Sequence, residues 1–454
     1  MALFAALTAS AWGNIPLTAH HILVPVYAVA ALLAVALLLK PKRLGARKWW
    51  PLVGAVVAGG SALGGLIPWY VGDVENEFGV SPTWVDRIWV GAVVAGLGLV
   101  VVNIIVARVW RKVVAVIAVA GFALAGGLAI NRDAGEFVTS DQALGVDSVP
   151  RLVLPSVSAQ HTPPPRTNTA GDALFQVWKP PAGMPSKGTV GAVHIPGLRS
   201  HFAARDALVY LPPAALVPDP PKLPVVILLS GQPAAPANVI QSGHLPDSMN
   251  ALAAAHHGLA PIVVVPDQLG PNEGNPMCID GPLGNSATYI LDDVTSWITK
   301  HLRVEKPRED WAIGGFSQGG TCSLQFATAH PDTFGAFVDV SGEQYPTLAT
   351  DALAIQQGFN GSSAAYDRAK PQSIMAAHGR YSNLFGFFAV GQDDPKYAHD
   401  SAVVSRLAEG AGITVARYVV PGTGHDWTTA TEGFARGIAS LYPRFGLSKA
   451  GVLG

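Results

Sequence analysis

The sequence predicts two folds in one chain: an α-helical membrane domain of four transmembrane helices, followed by an α/β domain with a mostly parallel central sheet. Charged residues make up only 13% of the 454 residues and hydrophobic residues 49%, whereas a typical soluble domain has about 25% charged residues. Long apolar runs fill the first third of the chain, and short strand-like segments alternate with helical ones in the last part. Such alternation is typical of a parallel sheet.

The membrane domain is predicted to occupy residues 1–130. It holds four apolar runs without Asp, Glu, Lys or Arg, each near the roughly 20 residues that cross a bilayer, namely residues 22–39, 51–68, 88–107 and 113–130. The first run does not resemble a cleavable signal peptide, because residues 1–20 lack a positively charged start. Asn103, near the centre of the third run, indicates either an intramembrane site or helix contact, or a single tolerated amide.

Charges in the loops predict the orientation of this multi-pass membrane protein. The loops after the first and third runs are basic, and the loop between the second and third runs is acidic apart from Arg87. Basic loops face the cytoplasm, so both termini and the whole α/β domain are expected on the extracytoplasmic side of the cell membrane. The basic residues are Lys40, Lys42, Arg43, Arg47, Lys48, Arg108, Arg111 and Lys112, and the acidic ones are Asp73, Glu75, Glu77 and Asp86.

An extracytoplasmic connector is predicted over residues 131–185 and the α/β domain over residues 186–445. Proline runs at 163–165 and 180–181 favour an extended, stiff connector. In the domain, strands are predicted near residues 189–194, 206–211, 225–230, 261–265, 311–315, 336–340, 386–390 and 414–420. Helices are predicted near residues 246–257, 286–301, 319–330, 397–410 and 428–441.

The run Gly-Phe-Ser-Gln-Gly at residues 315–319 fits the G-x-S-x-G nucleophile elbow. In that motif, glycines allow a sharp turn from a strand into a helix, which exposes a serine at the edge of the sheet. The apolar residues 311–313 precede the run and a helix-forming segment follows it. The motif therefore predicts Ser317 as a nucleophile.

A base and an acid are expected to complete the constellation. His425 lies in a glycine-rich loop after the last apolar strand, and two acids, Asp393 and Asp394, follow the strand before it. The order serine, acid, histidine is that of α/β-hydrolases. The spacing from Gly391 favours Asp394 as the acid, and Asp393 is the alternative.

An oxyanion site requires backbone N–H donors. The first donor is predicted to be Gln318, which follows the nucleophile. The second is predicted in the loop after the strand at 225–229, where Gln232 is the better candidate because Pro233 has no N–H.

The two cysteines of the chain, Cys278 and Cys322, are predicted to lie near the same edge of the sheet. In an oxidising compartment they are expected to form a disulfide, and otherwise they are two buried thiols. The sequence contains no metal-binding His or Cys spacing, so neither a metal nor a cofactor is expected. The net charge of −1 predicts no nucleic-acid partner.

With these residues established, the region 185–443 resembles the esterase D and antigen-85 (mycolyltransferase-like) branch of the α/β-hydrolases. The resemblance rests on the elbow, on Pro-Asp-Thr-Phe-Gly-Ala at 331–336, on Val-Ser-Gly at 340–342 and on Gly-His-Asp-Trp at 424–427. The four apolar runs before such a domain are similar to membrane esterases of actinobacteria. The resemblance implies an acyl-ester substrate, such as a lipid or cell-envelope glycolipid, and no metal.

Three hypotheses about function follow. The leading one is a serine carboxylic ester hydrolase. The second is an acyltransferase that uses the same residues and moves an acyl chain to a sugar or lipid hydroxyl, because sequence does not separate the two acceptors. The third is a catalytically silent membrane scaffold, against which the intact serine, acid and histidine argue.

Overall fold

The computed structural model divides the chain into two compact units, Met1–Asp147 and Ser148–Gly454. Their boundary falls within the predicted connector. The structure describes residues 14–42, 44–74, 82–106, 108–144, 149–154, 173–270, 274–306 and 308–449. The predicted proline run at 163–165, the predicted loop residues Arg43, Glu75 and Glu77, and both chain termini lie outside these residues.

The first unit contains four helices that are long and apolar enough to cross a membrane. Each of the four predicted runs lies largely within one of these helices, which extend by a few residues beyond most of the run ends. The helices are α1 (His20–Leu38), α2 (Ala46–Val74, ending in a π-helical turn at Trp69–Val74), α3 (Trp84–Val106) and α4 (Val109–Ala134). A four-residue helix, α5 (Ser140–Ala143), follows.

Small residues allow α2 and α3 to pack closely. A Cβ atom placed on Gly64 would lie 2.6 Å from the Cα of Gly91, and one placed on Gly60 would lie 2.7 Å from the Cα of Ala95. Close approach of backbones at small residues is a common way for apolar helices to associate in membranes. Larger side chains at these glycines would force the two helices apart.

The carboxyl end of α1 is bound by side chains from the other three helices. The amide of Asn103 in α3 donates to the carbonyl of Leu37 at 3.1 Å, and the guanidinium of Arg111 in α4 donates to the same carbonyl at 2.8 Å. The indole of Trp49 in α2 donates to the carbonyl of Leu38 at 3.0 Å. These donors satisfy carbonyls that lack a partner within their own helix, so Asn103 is a helix–helix contact.

The second unit is built on an eight-stranded sheet within the described residues. Its strands are β1 (Thr189–Val193), β2 (Ala207–Leu211), β3 (Val225–Leu229), β4 (Ile262–Val265), β7 (Arg308–Phe316), β8 (Phe334–Val340), β9 (Phe385–Gly391) and β10 (Thr414–Val420). They lie in the order β1-β2-β4-β3-β7-β8-β9-β10. Two pairs, β1–β2 and β2–β4, are antiparallel and the remaining neighbours are parallel, which confirms the predicted mostly parallel sheet. A short separate hairpin pairs β5 (Asp280–Gly281) with β6 (Gly284–Asn285).

All five predicted helices are present, and further helices occur between them. The described helices of this unit are α6 (Leu174–Val177), α7 (Pro236–Ile240), α8 (Leu245–Ala255), α9 (residues 286–301, with a π-helical turn at Tyr289–Val294), α10 (Gln318–Ala329), α11 (residues 351–358), α12 (Ser363–Ala369), α13 (Pro371–His378), α14 (Pro395–Gly410) and α15 (Trp427–Leu441). A 3-10 turn, Pro213–Leu216, follows β2.

Parts of the predicted connector are hydrogen-bonded to the second unit. The N–H of Leu152 donates to the carbonyl of Ala192 in β1 at 3.0 Å, and the N–H of Phe175 donates to the carbonyl of Gly446 at 3.0 Å. These two described pieces of the connector therefore belong to the second unit.

The centre of the sheet is apolar on both faces. Every residue of β3 and β4 is buried, which is typical of strands covered by helices on both sides. The strands β4, β3, β7, β8, β9 and β10 run parallel to one another, so their carboxyl ends meet at one edge of the sheet. The loops that follow β3, β7, β9 and β10 at this edge carry the residues that the sequence predicted for the site.

Candidate active site

Ser317 lies at the turn between β7 and α10 with φ 56° and ψ −122°, a conformation that is strained for a residue with a side chain. Neither Gly315 nor Gly319, which flank the turn, has room for a side chain. A Cβ atom on Gly315 would lie 2.3 Å from the backbone of Gly319, and one on Gly319 would lie 2.5 Å from the carbonyl oxygen of Leu229. The backbone of this segment thus has the geometry of a nucleophile elbow.

His425 is paired with Asp394 at the same edge. Its Nδ1 lies 3.1 Å from Oδ2 of Asp394, and both side chains are about nine-tenths buried. The other carboxylate oxygen accepts a hydrogen bond at 3.3 Å from the N–H of Tyr397, in the first turn of α14. The side chain of Asp393 is exposed, and its N–H donates to the carbonyl of Thr423. The structure therefore brings Asp394, and not Asp393, to the histidine.

The loop that carries His425 is held on both sides. Asp426 caps α15, because its carboxylate accepts from the N–H groups of Gly424 and Thr429, both at 2.8 Å. A Cβ atom on Gly391 would lie 2.3 Å from the carbonyl oxygen of Gly424, so the acid loop and the histidine loop are in close backbone contact. This contact places the acid and the base side by side.

Aromatic rings enclose the imidazole of His425. The ring of Phe316 stacks on it with centroids 4.8 Å apart, and the ring of Tyr397 stacks on it with centroids 3.9 Å apart. The hydroxyl of Tyr397 is also hydrogen-bonded to the side chain of Ser317. Sequence reasoning did not identify Tyr397. Its only local signal is its position three residues after the acid, at the start of a helix.

The two predicted oxyanion donors are near the serine in different ways. Gln318 is the first residue of α10, and the first N–H groups of a helix have no partner inside it. The loop after β3 passes beside the nucleophile, because a Cβ atom on Gly231 would lie 3.3 Å from the Cβ of Ser317. Gln232, the predicted second donor, follows Gly231 and has an exposed side chain.

A chain of amides fixes the side chain of Gln318. The amide of Gln268 donates to the oxygen of Gln318 at 3.0 Å, and the amide of Gln318 donates to the oxygen of Asn275 at 3.1 Å. Gln268 also donates to the carbonyl of Ser230 at 2.7 Å, which ties the loop after β3 to the start of α10. The sequence signal for Gln268 was its place three residues after the buried strand β4, beside Asp267.

Cys278 and Cys322 are joined by a disulfide that closes a 44-residue separation, with their Cα atoms 5.6 Å apart. The bond links α10 to the loop after β4. Cys322 is also one wall of a small pocket beside the nucleophile. Polar side chains line most of the rest of this pocket, among them Asn275, Gln318, Thr321, Gln325, Glu343 and Thr347.

Two further carboxyl groups lie near the elbow, and the sequence did not indicate either of them. The carboxylate of Glu343 accepts a hydrogen bond from the hydroxyl of Thr321, and burial raises the pKa of Glu343. Asp339, in β8, lies beneath the first turn of α10, because a Cβ atom on Gly320 would lie 2.6 Å from its Oδ1. Burial raises the pKa of Asp339 to about 7.

Comparison with known proteins shows which family this chain matches. The family model described as "Putative esterase" matches residues 203–436, which is 234 of the 454 residues. An uncharacterized protein of Corynebacterium glutamicum is 34% identical over 275 residues, covering 59% of this chain and 61% of that protein. The match thus spans less than two thirds of that relative's length.

Solved structures are also similar to part of this chain. A ferulic acid esterase is 20% identical, with 57% of this chain and 98% of that chain covered and a TM-score of 0.49. An S-formylglutathione hydrolase from Agrobacterium tumefaciens is 18% identical, with 57% and 97% covered and a TM-score of 0.49. MPT51 of Mycobacterium tuberculosis is 18% identical, with 57% and 99% covered and a TM-score of 0.41. By the family match, this chain belongs to the esterase family, whose domain here is an α/β-hydrolase fold with a mostly parallel sheet.

Proposed function

We propose that this protein is a membrane-anchored serine esterase that hydrolyses acyl esters on the extracytoplasmic side of the cell membrane. The observation that carries the proposal is the buried pair of Asp394 and His425 at the edge of the sheet that also carries Ser317 in a strained elbow. A nucleophile, a base and an acid in this arrangement perform acyl transfer.

In the proposed reaction, Oγ of Ser317 attacks the acyl carbonyl and its proton passes to Nε2 of His425. Asp394 accepts from Nδ1 and so holds the imidazole in the tautomer that leaves Nε2 free. The N–H groups of Gln318 and Gln232 stabilise the negative oxygen of the tetrahedral intermediate. His425 then gives its proton to the departing alcohol, and water resolves the acyl-enzyme by the same steps.

The four apolar helices support a substrate at the membrane, and a lipid or cell-envelope glycolipid ester is the class we propose. The disulfide between Cys278 and Cys322 supports an oxidising, extracytoplasmic location. The basic residues around Lys42 support a cytoplasmic position for the loop between α1 and α2.

The catalytic part of the proposal is tested with the full chain in detergent and a short p-nitrophenyl ester. Ser317→Ala is expected to lower turnover by about a thousandfold or more, because the nucleophile is lost. Ser323→Ala is the matched control, since it removes a buried hydroxyl from α10, the helix that follows Ser317. Equal turnover by wild type and Ser317→Ala would contradict a serine mechanism, and product analysis with an added sugar acceptor separates hydrolysis from acyl transfer.

The orientation is tested by cysteine labelling in intact cells with a membrane-impermeant maleimide. Lys179→Cys, at an exposed position of the second unit, is expected to react from outside. Lys42→Cys, at an exposed position between α1 and α2, is expected to react only after the cells are permeabilised. The reverse pattern would place the esterase unit in the cytoplasm.

A further inference from the structure

Tyr397 contacts every member of the proposed triad. Its backbone N–H donates to Oδ1 of Asp394 at 3.3 Å, and its ring stacks on the imidazole of His425 with centroids 3.9 Å apart and planes 29° apart. Its hydroxyl is hydrogen-bonded to the side chain of Ser317. One residue in the first turn of α14 therefore touches the acid, the base and the nucleophile.

The surroundings of Tyr397 keep its phenol in place and protonated. The residue is 3% exposed, so the ring has little freedom to leave the imidazole. Burial, together with the carboxylates of Glu343 and Asp394, raises the pKa of the phenol far above its ordinary value. A phenol that does not ionise remains a hydrogen-bond donor throughout the pH range in which an esterase works.

We propose that Tyr397 is a further catalytic residue, whose phenol is hydrogen-bonded to Oγ of Ser317 and donates to Oγ once His425 has taken the serine proton. The proposal rests on the serine esterase function proposed above. It assigns the ring and the hydroxyl different tasks. The ring shields and orients the imidazole, and the hydroxyl acts on the reacting oxygen.

In this role, Tyr397 changes neither the proton transfers nor the bonds made and broken in the esterase reaction. During acylation, the bond from Oγ to the acyl carbon forms as the serine proton passes to Nε2 of His425. During deacylation, water gives a proton to Nε2 of His425 and its oxygen bonds to the acyl carbon. The bond between the acyl carbon and Oγ then breaks, the electron pair returns to Oγ, and His425 returns the proton to it. The phenol of Tyr397 keeps its own proton and stabilises the negative charge that Oγ carries as the bond breaks.

Tyr397→Phe separates the hydroxyl from the ring. The variant keeps the aromatic stack on His425 and the backbone donor to Asp394, and it removes the bond to Ser317. In the full chain in detergent, kcat for a p-nitrophenyl ester is expected to fall about 10- to 100-fold with KM changed by less than about threefold, since a hydrogen bond to a charged group is lost in the transition state. The rate at which a fluorophosphonate modifies Ser317 is expected to fall as well.

Tyr366→Phe is the matched control. Tyr366 is 2% exposed and donates to Asp351 in a separate cluster, so its variant also loses a buried phenol hydroxyl. Both rates are expected to stay at the wild-type level in this control. The end point of fluorophosphonate labelling counts the folded, reactive molecules in each preparation and corrects kcat for any misfolded fraction.

Wild-type kcat in folded Tyr397→Phe would overturn the catalytic role of Tyr397 and leave the esterase proposal standing. A wild-type chain that neither turns over the ester nor reacts with the fluorophosphonate would overturn the esterase function, and the role of Tyr397 with it. If Tyr397→Phe does not fold, 3-fluorotyrosine at position 397 alters the strength of the phenol donor in an almost unchanged shape. An unchanged deacylation rate would then overturn the proposal.

Discussion

Two buried aspartates lie near the elbow of Ser317, one in the loop after β9 and one inside β8, and their surroundings differ. Asp394, three residues beyond the end of β9, bonds His425 through one oxygen and the N–H of Tyr397 through the other. Asp339 accepts from the N–H of Gly342 through Oδ1 at 2.9 Å. Its buried Oδ2 has no hydrogen-bond partner among the residues that the structure describes.

The difference shows that position along the strand decides what a carboxyl group can do at this edge. Beyond the strand end, the side chain of Asp394 reaches across to the neighbouring loop and meets an imidazole. Within the strand, the side chain of Asp339 is covered by the first turn of α10, and it accepts its hydrogen bond from the backbone N–H of Gly342. One carboxyl is therefore available for chemistry, and the other is a buried group whose ionisation is unfavourable.

Of the variants that test this difference between Asp394 and Asp339, Asp394→Asn is expected to have the largest effect, on kcat. The amide cannot accept from Nδ1 of His425 in the same way, so the wrong tautomer is favoured and kcat is expected to fall by about a thousandfold or more. Asp393→Asn is the matched control at the adjacent, exposed position, and its kcat is expected to stay near the wild-type value. Comparable losses in the two variants, measured with the same ester, would remove the distinction that the geometry draws.

A smaller effect is expected for Asp339→Asn, on stability. Because the folded state raises the pKa of Asp339 from 3.8 to about 7, its contribution to the free energy of unfolding is greatest at acidic pH and falls as the pH rises through that window. The variant has no such loss. Relative to wild type it is expected to gain stability from pH 4.5 to pH 8, by roughly 4 kcal/mol at most.

This gain is measured by denaturant unfolding of the full chain in detergent at several pH values. Asp332→Asn is the control, because its side chain is 93% exposed and the variant should show no trend with pH relative to wild type. A constant difference between Asp339→Asn and wild type at every pH would show that burial of Asp339 does not perturb its titration.

The parts of the molecule that are encoded in short local patterns could be predicted from the sequence. The eight strands of the sheet and the elbow at 315–319 are such patterns, since apolar strands bounded by glycine and polar residues are readable one segment at a time. The segment 351–378 forms three short helices that the sequence did not indicate. Helices of this length have few turns in which a repeating apolar face can be recognised.

The supporting residues of the site could not be predicted, because their roles arise from contacts between distant segments. Gln268 meets Gln318 across 50 positions of sequence, and Thr321 meets Glu343 across 22. Tyr397 lies close to Asp394 in sequence, but its contact with Ser317 depends on how α14 is oriented on the sheet. Spacing alone contains no information on that orientation.

The carboxyl end of α1 has a consequence for how the first unit is made. Its last carbonyls receive hydrogen bonds from Trp49, Asn103 and Arg111, which are synthesised later and belong to three different helices. In the membrane insertion that we propose, the first helix leaves the ribosome before the third and fourth helices, which carry Asn103 and Arg111, have been made. On this proposal, the hydrogen bonding of the first helix is completed only when the fourth helix has joined it, so the last of the four long helices closes the bundle.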